Sequence, residues 1–203
     1  IESMTAGPSE IMVVCDKFSN PEWIASDLIG QAEHDILAQC ILISKDKKLI
    51  DNVKIEITKQ LKQIPRAAIA KKSLMNNGIL MHINSEKKII EVINKIAPEH
   101  LELNLKNYKS IVPKVRNAAS ICLGKYAVMA MTDMNIGTNH VLPVNGSAKY
   151  SSGISVNEFY KRISYINLSK NGIEKLGPSA ITIADFEGLE GHSKSILKRI
   201  RRK

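Results

Sequence analysis

The residues able to do chemistry stand in small polar clusters. Gln31-Ala-Glu-His34 sets an amide and an imidazole three residues apart. Residues three apart on a helix share a face, so the two can offer an oxygen and a nitrogen to one ion. A histidine answering the dipole at a helix C-terminus gives the same pattern, and spacing alone favours that plainer reading. Pro98-Glu-His-Leu101 puts a carboxylate beside an imidazole in what reads as a turn. Burial raises a carboxylate pKa and an imidazole titrates near neutrality, so Glu99 and His100 suit general acid–base work. A solvated turn would look no different. Asp133 is a candidate oxygen ligand and His140 a candidate substrate contact, both in a stretch without periodicity. His192, following Glu187-Gly-Leu-Glu-Gly, reads by itself as a surface histidine on a glycine-loosened helix, and His82 as structural.

Positioning these groups falls to an alternation of strands and helices. Residues 10–16 (EIMVVCD) form a short apolar run rich in β-branched residues, and Ser19-Asn-Pro21 then supplies a cap and a first-turn proline. A helix over 21–34 sets Trp23, Ile24, Leu28 and Gln31 on one side. Strands are predicted at 39–44, 79–83 and about 120–123, and helices at 47–63, 67–75 and 85–96. Strands alternating with helices imply an open, mainly parallel, Rossmann-like α/β sheet with helices on both faces. In such sheets ligands collect at the carboxyl ends of the strands, so loops there are the expected site. Residues 124–153 read as a long functional loop. Segments 156–163 and 179–199 read as mainly helical, giving an α/β domain over 1–153 and a helical appendage over 154–203.

Composition narrows the classes. Hydrophobic residues make up 44% and charged residues 24% of the 203, ordinary for a folded globular protein. No apolar run is long enough to span a bilayer and no signal-peptide pattern opens the chain, so no membrane role is expected and the cytoplasm is the default compartment. The three cysteines sit in apolar runs without CxxC spacing and read as core residues. A net charge of +9 admits nucleic acid as a partner, but aromatic residues are only 4%, too few for base stacking, and the lysines are scattered. The densest basic cluster is the tail 198–203. A basic nucleic-acid-binding protein, recognisable by strongly salt-dependent binding, is the alternative from another class.

The strings AGPSEIMV (6–13), SDLIGQAEHD (26–35), APEHLEL (97–103), GTNHVLP (137–143), SSGISVNEF (151–159) and EGLEGHSKS (187–195) occur in this order. Together they closely resemble the histidinol dehydrogenase family over about 1–200. That resemblance implies oxidation of L-histidinol to L-histidine, the last step of histidine biosynthesis, by two hydride transfers to NAD through a bound aldehyde, with one zinc ion per subunit. It implies Gln31, His34, Asp133 and His192 as zinc ligands and Glu99 and His100 as proton acceptors. Ser9, Gln31, His34, His100, Asp133, Glu187 and His192 match substrate-contacting positions, and Glu187 and His192 would reach the partner subunit's site in a homodimer.

The resemblance reads as the family's carboxy-terminal portion. Most NAD contacts of the family belong to its other half, so no cofactor-binding residue is assigned, and the chain by itself is expected to show negligible NAD reduction with histidinol. Met131-Thr-Asp-Met-Asn135 departs from the family's Gly-Asp-Tyr, with Thr132 and Met134 flanking the retained Asp133. A zinc- or substrate-binding remnant without catalysis is the alternative within the family.

Overall fold

The computed structural model describes residues 6–200. Its frame is a parallel sheet of five strands: β1 (Glu10–Cys15), β2 (Gln39–Ser44), β3 (Gly78–His82), β4 (His100–Asn104) and β5 (Ser120–Leu123), in the order β3-β2-β1-β4-β5. Every residue of central β1 is buried. Ile11, Val13 and Cys15 turn to one face, Met12 and Val14 to the other, so the strand has no polar side to show. The run EIMVVC is therefore continuous rather than alternating.

Helices cover both faces. α1 (Pro21–Ala32), α2 (Lys47–Gln60) and α3 (Ala67–Asn77) pack over Ile11, Val13, Cys40 and Leu42. On the opposite face α4 (Glu86–Ile96) sets Ile89 and Ile93 against Met12, Val14, Ile41 and Leu101. Capping explains the starts: Asn20 accepts the Glu22 N–H at 2.9 Å with Pro21 in the first turn, and Asp46 accepts from Lys48 N at 2.9 Å. Asp46→Ala is expected to cost about 1 kcal/mol of stability by urea unfolding. A loss below a few tenths would mean the cap contributes little.

Several sequence expectations are corrected. α1 ends at Ala32, so His34 lies in the following turn and shares no helical face with Gln31; its N–H donates to the Gln31 carbonyl at 3.2 Å. Trp23 is 43% exposed rather than on the buried side, tilted against Tyr126 at 6.0 Å between ring centres. His100 and Leu101, read as part of a turn over 98–101, instead open strand β4 (His100–Asn104), whose alternate positions His100, Glu102 and Asn104 are polar yet buried. The polar half of that alternation hid the strand. Within the supposed loop 124–153, Met129–Met134 forms a short helix, α5. Of segment 156–163 only Val156–Phe159 is helical, as one 3-10 turn.

The chain divides into two compact units at Phe159/Tyr160. The second contains α6 (Lys170–Phe186) and α7 (Glu190–Ile200), which pack on each other where Gly177 faces Ile196 and Ile200. Added bulk at Gly177 would meet both isoleucines. Among the described residues no helix is long and apolar enough to cross a membrane. Cys15, Cys40 and Cys122 are buried and free, as expected of core residues. The opening residue Ile1 and the end of the basic tail, 201–203, lie outside the described residues.

Candidate active site

The polar groups gather at the amino edge of the sheet. Register pairs Ile11 of β1 with His100 of β4, so the amino ends of these two strands lie side by side. α1 runs back against the strands and delivers Gln31 to that same edge. The candidate residues thus do not lie at the carboxyl ends, where they were expected. The carboxyl-edge rule describes loops following strands, whereas here the candidates begin strand β4 and end helix α1.

Glu99 and His100 owe their placement to the end of α4. Ala97 closes that helix with φ 56° and ψ 61°, turning the chain sharply into β4. Glu99 is 5% and His100 3% exposed. One Glu99 oxygen, Oε2, accepts the Glu10 N–H at 2.8 Å, and Ser9 adds a side-chain hydrogen bond. His100 Nε2 stands 3.7 Å from Asp133 Oδ1 and 3.9 Å from Glu99 Oε1. Asp133 therefore belongs to an ordered helix end facing the imidazole, not to a free loop.

Burial decides the charges. It pushes the Glu99 carboxyl up to about 7, and the nearby carboxylates of Glu10 and Asp133 push the same way, against the Glu10 N–H and the Ser9 bond. Burial likewise holds His100 below the usual histidine range, opposed by Asp133 and helped by the neighbouring His34. The result is an imidazole kept neutral at pH 7 and a carboxyl poised near neutrality, the state each needs to accept a proton.

Unpartnered atoms mark where a ligand fits. Gln31 is 1% exposed, yet neither its Oε1 nor its Nε2 has a hydrogen-bond partner, and Asp133 Oδ1 and His100 Nδ1 are also buried without one. Buried polar atoms are seldom left so, since each costs about 1–3 kcal/mol. Among the described residues no three His, Cys, Asp or Glu side chains are gathered as a ready metal cage. The donors here include an amide, and an oxygen–nitrogen set from Gln31, Asp133 and exposed His34 suits zinc.

A family model for histidinol dehydrogenase matches residues 2–200. The chain belongs to the histidinol dehydrogenase family. It is 74% identical, over all 203 residues, to the histidinol dehydrogenase of Pelagibacter ubique (strain HTCC1062), covering 47% of that relative. It is 44% identical over 193 residues, 95% of this chain and 45% of the relative, to that of Listeria monocytogenes serovar 1/2a. The crystal structure of histidinol dehydrogenase from Elizabethkingia anophelis superposes with a TM-score of 0.89 at 36% identity, covering 97% of this chain and 45% of that one. The chain spans about half the length of the curated relatives it matches.

Of the residues carried over to the histidinol dehydrogenase site, Ser9, Glu99, His100, His34 and Asp133 are brought together in the first unit, with Gln31 at the same edge. Glu187 and His192 belong to the second: Glu187 caps the end of α6, Gly188 turns with φ 73°, and His192 lies in the first turn of α7, both side chains exposed. They stand on either side of a helix junction, not on one loosened helix. His140 is exposed, and His82 Nε2 bonds the Lys45 carbonyl at 3.0 Å. Thr132, foreign to the family pattern, donates its hydroxyl to the Met129 carbonyl at 2.7 Å, while Met134 is 77% exposed.

Sequence reasoning missed Glu10, Asp27 and Glu102. Glu10 is 8% exposed and accepts the Asn145 N–H at 2.9 Å, tying the loop after α5 to the start of β1. A signal existed for the other two: Asp27 shares helical spacing with buried Ile24 and Gln31, and Glu102 alternates with Leu101 and Leu103.

Proposed function

We propose that this chain carries the metal and proton-transfer site of an NAD-dependent oxidation of L-histidinol to L-histidine. The observation that carries the reading is His100, buried and neutral, flanked by Glu99 and Asp133 in a chain that the histidinol dehydrogenase family model matches over residues 2–200. Gln31, His34, Asp133 and His192 would hold zinc, which when bound supplies a Lewis acid for the substrate hydroxyl and amine. His100 takes the alcohol proton as hydride leaves for NAD. Glu99, as carboxylate, takes a proton from the water that hydrates the aldehyde before the second hydride leaves. One histidinol, one water and two NAD thus yield one carboxylate, two NADH and three protons. Ser9 and Glu187 contact substrate, and the second unit completes the site across a homodimer in the cytoplasm.

The test joins this chain to the remaining half of the Pelagibacter relative. The fusion is expected to release two NADH per histidinol, to lose activity to a chelator and to regain it with zinc. Stoichiometric zinc without turnover would instead support the binding-remnant reading. Absence of both zinc and turnover would sink the proposal.

A further inference from the structure

One buried constellation has no part in the reaction above. Asp27, on the face of α1 that buries Ile24 and Leu28, hydrogen-bonds carboxyl to carboxyl with Glu102 of β4. Two ionised carboxylates have no donor between them, so the bond requires one proton. Glu102 is 2% exposed, and its Oε1 accepts the Met129 N–H at 2.7 Å. Met129 opens α5, and Asp133, one turn on, faces His100. We infer that the Asp27–Glu102 pair is a positioning device: sharing one proton, it anchors the start of α5 and so sets Asp133 against His100. The role given to Asp133 rests on the proposed function; the anchor itself does not.

The surroundings favour a retained proton. Facing Glu102 are Asp27 from α1, Cys122 from β5, the Met129 N–H from α5 and apolar Val13 from β1, with His100 two residues back on its own strand. Burial first, then the Asp27 charge, pushes Glu102 up to about 8, and burial pushes Asp27 up to about 6. The Cys122 thiol, pushed up to about 12 by burial and by Glu102, Asp133 and Asp27, stays neutral. With Glu102 raised from 4.5, the folded chain keeps a proton that the unfolded chain releases. Stability from this group is full at low pH and is lost as pH rises through the folded value.

The metal-free chain provides the test. Thermal melting from about pH 5 to about pH 9 is expected to fall for the wild type and to run flatter for Glu102→Gln, whose amide accepts from Met129 and donates to Asp27 at any pH. Amide hydrogen exchange, corrected for its intrinsic pH dependence, should show α5 losing about tenfold protection relative to β1 between about pH 7 and pH 9 in the wild type but not in Glu102→Gln. Glu102→Ala should lose that α5 protection already at pH 7. Equal melting slopes in wild type and Glu102→Gln would overturn the shared proton; α5 protection that stays level with pH in the wild type would overturn the anchor, even if Glu102→Ala failed to fold. Zinc titration separates the two readings. About tenfold weaker binding by Glu102→Ala, with Glu102→Gln unchanged, supports the positioning of Asp133, and equal binding by all three overturns it. No zinc uptake by the wild type would count against the proposed function, leaving the exchange result to judge the anchor.

Discussion

His100→Ala, in the fusion with the remaining half of the Pelagibacter relative, is expected to lower kcat for histidinol-dependent NAD reduction by about 10²–10⁴-fold. The reason is geometric before it is electrostatic. The imidazole is 3% exposed, its Nε2 lies between Asp133 and Glu99, and its Nδ1 has no partner to compete for a proton. A loss under about tenfold would remove His100 from proton transfer. The same assay carries a pH signature: with Glu99 pushed up to about 7, turnover should fall as pH drops below that value and protonates the carboxylate. Glu99→Gln should lose that acid limb along with most activity; an unchanged limb would assign it to another group.

Gln31→Leu should make the metal-free chain more stable while destroying its zinc affinity. The amide is buried at 1% exposure with both polar atoms unpartnered, among Ile24, Leu28 and Ala32 of the same helix. Replacing it by an apolar side chain of similar size relieves a desolvation cost of about 1–3 kcal/mol. A residue kept at that cost is explained by a ligand that repays it on binding. His34→Ala, exposed and outside the helix, should also abolish stoichiometric zinc, yet leave metal-free stability within about 0.5 kcal/mol. A Gln31→Leu chain that melts no higher than wild type, or that retains zinc, would show the amide to be a structural feature.

These different effects on stability separate what was legible in the residues from what was not. The apolar runs at 10–15 and 39–44 announced buried parallel strands, because a strand covered on both faces has no polar positions to break its pattern. β4 gave a different signal: three of its five residues are polar, and all five are buried. Local patterning equates polar with exposed, and β4 violates that equation because Glu102 meets Asp27 of α1 and the Met129 N–H of α5, and His100 stands between Glu99 and Asp133. α5 was equally hidden, since six residues without a side-chain cap carry little periodicity, and its start is held by Glu102, distant in the chain.

The motif order in the sequence determined the family and the identity of the candidate acids, bases and ligands. Each taken singly had a plainer reading. Tertiary structure alone decided that the candidate residues gather at the amino edge of the sheet, that Glu99 is held by the backbone of Glu10, and that Asp133 confronts His100. It also decided that a second carboxyl pair, Asp27 with Glu102, stands behind them. The physical reason is that protonation and orphaned atoms are set by burial and by neighbours far apart in the chain. Gln31 and His34, three residues apart, end in opposite environments: one is sealed in the core, the other is open to solvent.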